Sequence, residues 1–330
     1  MKLFTRLVDN YTDLAWVAGS PSKRLAIPRN RFIQKLHLYL KVTGNTAASV
    51  TPGEDNILAL FKGIRLVKGG ETIVNLAGKD LAYMNAFEQS RFLTCYLITT
   101  VSQTGVTIGE ADLVIPFMLD PQKDGDFNAL LPAHMLASLD LFIDWGDSSD
   151  LGTGYTVTAA SVKVTLKEVS LSAQDLSKLG SIWAVKYSAT EKTIDAAYNN
   201  YLLPVDLPTG KLIQKAYLMT YNNSVRSDAI IADPGFKLYD ADTEMVRIFW
   251  LDSQHALCTY SYIPTCAGSF PASGIPVPGR ITGFSSVGIE RLSPMGIDAT
   301  RYKAGDLRVG FNTGSPTSVA KIRLLTKELS

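Results

Sequence analysis

Residues 31–40 read "RFIQKLHLYL", and residues 211–220 read "KLIQKAYLMT". In the first stretch Phe32, Leu36, Leu38, Leu40 and the following Val42 share one face of an extended chain, while Lys35, His37, Tyr39 and Lys41 share the other. Successive side chains of a strand point to opposite faces, so this alternation predicts a long, half-buried strand. Gln34 falls on the apolar face, and Gln214 does so in the second stretch. An amide there needs partners or a local irregularity, and a bulge or an edge position explains it more simply than chemistry does.

The likeness extends outward from this core. Pro28-x-x-Arg31 matches Pro208-x-x-Lys211, displaced by 180 residues. Residues 162–170, "VKVTLKEVS", match residues 322–330, "IRLLTKELS", and both close on Lys-Glu, an aliphatic residue and Ser. "LDLFIDWGD" precedes the first ending and "DLRVGFNTG" the second. Start, end and order agree, which predicts a domain used twice rather than a solenoid repeat. The expected division is an N-terminal arm at 1–27, a first unit at 28–170, a connecting segment at 171–207 and a second unit at 208–330.

Between those ends the sequence keeps writing strands. "NILALFKGIRLVKGGETIVNL" gives two runs around Gly69-Gly70, and Leu139, Leu141, Ile143 and Trp145 alternate with Asp140, Phe142 and Asp144. Pro116 within "ADLVIPFMLD" predicts an edge strand or a bulge, because proline donates no ladder hydrogen bond. "GKDLAYMNAFEQSR" predicts one short helix, with Asp80 as its N-cap. Leu3, Phe4, Leu7, Val8, Tyr11 and Leu14 follow helical spacing, with Lys2, Arg6, Asp9, Asn10 and Asp13 between them, so the arm is expected to be an amphipathic helix. Such a helix packs on its own domain, docks on a neighbour or lies on lipid; its mixed charge weakens the lipid version. "LSAQDLSKLGSI" and "TIDAAYNNYLLP" in the connecting segment read as short helices or turns, and residues 264–284 as a long Gly/Pro-rich loop.

Each unit thus holds about eight short strands and little helix, which predicts an all-β chain of two tandem eight-stranded jelly rolls, with short helices in the connections. Amphipathic helices do not alternate with the strands, so a parallel α/β sheet is disfavoured. At 330 residues the chain is long enough for two cores, and 46% hydrophobic with 19% charged residues excludes disorder. A formal net charge of +1 argues against a general nucleic-acid binder. Cys95, Cys258 and Cys266 are odd in number and form no CxxC pair, so thiols are expected in place of a disulfide framework or zinc site, although Cys258 and Cys266 are near enough in sequence to pair. Arg6, Asp9 and Asp13 interrupt what would be the apolar core of a signal peptide. No apolar run reaches the length of a membrane span.

A search for chemistry returns little. His37, His134 and His255 lie in three separate contexts, without HxH or HExxH spacing, which disfavours a metal cupin. There is no G-x-S-x-G elbow, P-loop or dinucleotide fingerprint. Asp120, Asp124 and Asp126 beside Gly125 lack the ligand spacing of a calcium loop and read as a turn. Asp144, Asp147 and Glu88 are the carboxylates that a carbohydrate-active enzyme or lectin on this fold would use. Trp145, which such a site would want exposed, alternates with core positions instead. Fourteen tyrosines suit protein interfaces as well as sugars. The sequon Asn222-Asn223-Ser224 has meaning only in a secreted protein.

The long strand "RFIQKLHLYLKV", the segment "GKDLAYMNAFE" after a strand pair, "LPAHMLASLDLFIDWGD" leading into the late strands and the restart "LPTGKLIQKAYLMTY" together resemble the double jelly-roll major capsid proteins of tailless icosahedral viruses. The likeness is to the corticovirus-type coat protein above all, within a group that includes tectiviruses and turreted archaeal viruses; it covers most of residues 28–330. It implies a structural, non-enzymatic protein without catalytic residues, cofactor or metal. The expected partners are further copies in a homotrimer of pseudo-hexagonal outline, neighbouring capsomers, penton and minor membrane-associated proteins, and a lipid layer against the N-terminal arm. No sequence-specific nucleic-acid contact is expected. The expected location is the virion capsid of a bacteriophage or archaeal virus, assembled in the host cytoplasm, with the loop at 264–284 as a tower or intercapsomer contact.

Overall fold

The computed structural model describes residues 4–17, 22–88, 95–99, 102–123, 125–179, 182–250, 282–293, 295–314 and 319–330. The chain divides into two compact units, the first ending at Val185 and the second beginning at Lys186.

In the first unit β1 (Phe4–Ala15), β2 (Ser22–Ala26), β3 (Phe32–Pro52), β4 (Phe61–Lys68), β5 (Glu71–Leu76), β6 (Cys95–Leu97), β7 (Val106–Pro116), β8 (Leu139–Trp145) and β9 (Gly152–Ser170) are joined by loops and one helix, α1 (Gly78–Glu88). One sheet has the order β1-β9-β3-β7-β6 and the other β5-β4-β8-β2. The inward face of β3, with Leu36, Leu38, Leu40 and Val42, is fully buried, as are Val162, Val164 and Leu166 of β9 and Ile64, Leu66, Leu141 and Ile143 of the other sheet. The first long strand therefore lies beside the last, and the alternation read from "RFIQKLHLYLKV" is what seals it to the core.

After α2 (Ala173–Leu179), the second unit comprises β10 (Val185–Ile194), β11 (Tyr198–Asp206), β12 (Leu212–Asn222), β13 (Val225–Arg226), β14 (Ile231–Asp240), β15 (Thr243–Ile248), β16 (Phe284–Ser286), β17 (Ile297–Asp298), β18 (Leu307–Thr313) and β19 (Ala320–Leu329). Its sheets have the orders β13-β12-β19-β10 and β11-β18-β14-β15, and its core joins Ile213 and Leu218 of β12 and Ile322 and Leu324 of β19 to Phe236, Leu238, Val309 and Phe311. Again the first long strand pairs with the last, β12 with β19. This is the double jelly roll expected from the sequence.

Strands also precede both long strands. The helix expected over residues 3–14 is strand β1, paired antiparallel with β9, and β2 pairs with β8. The segment 171–207 supplies β10 and β11 in the same roles, beside β19 and β18. In each unit the preceding segment thus adds one strand beside the last long strand and one to the other sheet. The β1–β9 register runs unbroken from Phe4 to Asn10 and slips between Asn10 and Leu14, so pairing with β9 overrides the helical spacing of the apolar residues. The helical basis for a lipid-facing arm goes with it.

Gln34 and Gln214 mark matching bulges. In the first unit Ile33 pairs with Glu168 and Lys35 with Lys167, leaving Gln34 unmatched; in the second Ile213 pairs with Glu328 and Lys215 with Lys327, leaving Gln214 unmatched. The repeated beginning therefore pairs with the repeated ending. Gln34 is fully buried, its backbone carbonyl accepts from the Phe117 N–H at 2.8 Å, and its side-chain amide reaches the Asp126 carbonyl at 3.4 Å.

Local signals fared variously. Gly69 and Gly70 have φ of 52° and 92° and join β4 to β5, the left-handed pair that a tight hairpin demands. Pro116 ends β7 and pairs with Lys35 of β3. Asp80 is not the N-cap of α1: the helix begins at Gly78, and the Asp80 carboxylate instead accepts from the Ala77 N–H at 2.7 Å. Asn223 and Ser224 of the sequon form the turn between β12 and β13, with φ of 50° and 66°. His255, Cys258, Cys266, Asp124 and nearly all of the 264–284 loop lie outside the described residues.

Candidate functional site

The carboxylates nominated for chemistry are committed to structure. Asp144 on β8 takes Arg65 in a two-point ion pair, with Nε at 3.1 Å and Nη2 at 2.9 Å. Asp147 caps the turn Ser148–Leu151: it accepts from the Ser149 N–H at 2.9 Å, while Asp150 accepts from the Asp147 N–H at 2.9 Å. Hydrogen bonds from Ser149, its hydroxyl foremost, hold the Asp147 carboxyl below the usual carboxylate range. A glycosidic general acid needs the opposite shift. Glu88 is buried in the last turn of α1. Trp145 is core, its ring stacked on Phe61 at 5.5 Å.

The remaining sequence candidates stay apart. Asp126 folds its own loop, accepting from the backbone of Asp120 at 2.7 Å and of Asn128 at 3.0 Å, and Asp120 pairs with Lys123. The His134 ring meets Phe32 edge-on at 4.6 Å, and His37 lies half-buried on the outward side of β3. Cys95 is partly buried on β6. Among the described residues no three His, Cys, Asp or Glu side chains gather as a metal-binding set. A cavity of about 280 Å³ in the second unit is lined by Ser188, Thr190, Asp206, Thr209 and Thr326 among others. Two of those hydroxyls are already spent: Ser188 and Thr326 donate to the buried Glu328 carboxylate at 2.7 and 2.8 Å.

What the first unit offers instead is a surface. The outward side of β9-β3-β7-β6 is built by cross-strand register. Lys163, Tyr39 and Asp112 form one row, and Lys41, Glu110 and Tyr96 the next. Paired residues in antiparallel strands point the same way, so both rows face outward. Tyr39 and Tyr96 are 39% and 43% exposed, high for large aromatic side chains in a folded chain. They bracket Glu110. Partial burial, then a hydrogen bond donated to Glu110, pushes the Tyr39 phenol up to about 12, and burial beside the same carboxylate raises Tyr96. Sequence alternation identified this polar face; only the register shows that its rows bring base, aromatic and acid together.

No protein-family model matches the chain, and no curated protein matches it. Solved structures do. The major capsid protein of Sulfolobus turreted icosahedral virus aligns over 99% of this chain and 97% of its own, with a TM-score of 0.74 at 15% identity. The atomic structure of that virus gives 0.76 at 15% identity over 99% and 90%. The major capsid protein of bacteriophage PM2 aligns over 99% and 97%, with a TM-score of 0.58 at 12% identity. At such identities the likeness is one of fold, and it spans both jelly rolls in order.

Proposed function

We propose that this chain is the major capsid protein of a tailless icosahedral virus. The observation that carries the reading is the end-to-end match of two tandem jelly rolls to viral major capsid proteins, covering 99% of this chain. The sites support it from the other side: Asp144 holds an ion pair, Asp147 caps a turn and Glu88 is buried, and the extended outward sheet surface suits lateral contact better than catalysis.

The proposal extends to finer statements. Three chains form a capsomer; two similar rolls per chain then give a three-fold object six similar lobes, which tile a hexagonal lattice. Pentons and minor proteins close the shell, a lipid layer lies beneath it, and assembly takes place in the host cytoplasm. With β1 built into a sheet, no lipid contact is routed through a helical arm. We take the repeat to be the whole strand set, β1–β9 and β10–β19, in place of division at residues 28, 171 and 208. The test is light scattering after size exclusion: a particle of three 35.9 kDa chains is expected, with hexagonal sheets or shells by electron microscopy at high concentration. A monomer at every concentration would contradict the reading.

A further inference from the structure

We infer that the outward face of β9-β3-β7-β6 is a two-fold contact between copies of this chain in neighbouring capsomers. The inference rests on the capsid reading and adds to it the place and symmetry of one lateral contact.

The row Lys163–Tyr39–Asp112 carries the argument. Its members sit on adjacent strands, at successive steps of about 4.8 Å. Base and acid therefore lie at equal distances on either side of Tyr39. A two-fold axis parallel to the strands and passing above β3 exchanges the two ends of the row. Lys163 of one copy then meets Asp112 of the other, the reciprocal pair forms by symmetry, and each Tyr39 meets its twin. An isologous interface needs such a self-complementary patch. Exposed aromatic residues between charges match the composition of interface centres, and Tyr96 in the next row widens the apolar strip.

The duplicated fold supplies an independent argument. Positions 180 residues beyond His37, Tyr39 and Lys41 are Tyr217, Met219 and Tyr221. All three are buried, and Tyr217 stacks on Phe284 at 5.7 Å. The side of the first long strand that is buried in the second unit is thus partly exposed in the first, at Tyr39 and Lys41. There it carries charges of both signs, as a reversible contact between otherwise stable particles requires.

The test uses Lys163→Glu and Asp112→Lys, made separately and then mixed. The first leaves acids at both ends of the row and the second leaves bases at both, so each repels its own kind and attracts the other. Each variant alone is expected to form capsomers of wild-type mass by light scattering but no sheets or shells by electron microscopy, while a one-to-one mixture assembles. Either variant assembling alone as the wild type does, or a mixture that stays as capsomers, overturns the inference. If either charge reversal lowers the thermal midpoint, Lys163→Gln and Asp112→Asn replace the pair. Each should raise the concentration needed for assembly roughly five-fold, and no change overturns the inference. Saturable binding of neutral oligosaccharides, lost in Tyr39→Ala while assembly is unaffected, would assign the face to sugars instead. Failure of the capsid reading looks different, since the wild type itself then gives no capsomer and the inference falls with it.

Discussion

Deleting Gln34 tests the bulge as a backbone feature rather than a side-chain one. Phe32 and Ile33 are consecutive and both buried because both faces are covered there: Phe32 packs with Phe127, Leu130 and Val169, and the extra residue at 34 brings Ile33, in place of Phe32, into phase with Leu36. Without it the strand regularises, and Phe32 and Ile33 exchange faces, so that each leaves its present packing. Losing the burial of one such side chain costs about 1.5–3 kcal/mol. The Gln34 carbonyl no longer accepts from Phe117, and the two backbone hydrogen bonds between Ile33 and Leu131, at 2.9 and 3.0 Å, are strained or lost. At about 0.5–1.5 kcal/mol for each of the three bonds, the total reaches roughly 3–7.5 kcal/mol, a large share of a domain's stability. Gln34→Ala keeps the bulge and removes only the side chain with its 3.4 Å contact to Asp126, so it should cost about 1–3 kcal/mol. The assay is guanidinium unfolding followed by tryptophan fluorescence, with Trp16, Trp145 and Trp183 in the first unit as reporters. The deletion should lower that unit's midpoint by about 1 M relative to wild type and by clearly more than the alanine variant does. A deletion no more costly than Gln34→Ala would refute the reasoning.

Leu38→Ala, at a fully buried site, should cost about 2–5 kcal/mol in the same unfolding assay, against about 0.5 kcal/mol for Lys41→Ala on the outward side of the same strand; equal costs would contradict the assigned faces. Ser188→Ala leaves the buried Glu328 carboxylate one donor short and should cost about 1–3 kcal/mol in thermal or denaturant unfolding, while an unchanged midpoint would show that the bond contributes nothing net. The Tyr39 proton is held more tightly in the folded chain, so its contribution to stability is complete below the ordinary tyrosine range and fades as pH rises toward about 12. Ultraviolet titration should therefore show a late-ionising phenol that Tyr39→Phe removes, and an identical titration curve in the variant would argue against the Glu110 contact.

The sequence made the two jelly rolls legible through particular residues. Alternation in β3, β8 and β9 held because each of these strands has one face on a core, and the repeated glutamines proved to be bulges because both sit opposite the same Lys-Glu ending. The flanking strands were hidden for physical reasons. The apolar residues of β1 keep helical spacing although the strand is held by pairing with β9, and β10 and β11 follow a true helix, α2, which made the whole segment read as connection. The outward face was visible as polar positions, but the row Lys163–Tyr39–Asp112 joins residues far apart in the chain, and only strand pairing brings them together. The carboxylates Asp144, Asp147 and Glu88 were legible as residues and not as roles, because what decides their role is the company of Arg65, Ser149 and the interior of α1.

The central claim meets its most direct test in the protein inventory of purified particles that carry this chain. Quantitative mass spectrometry with cryo-electron microscopy should find the chain as the most abundant protein, three copies to each hexagonal capsomer and two barrels to each copy. Finding it as a minor component, at the vertices or on spikes, or missing from the shell altogether, would contradict the account.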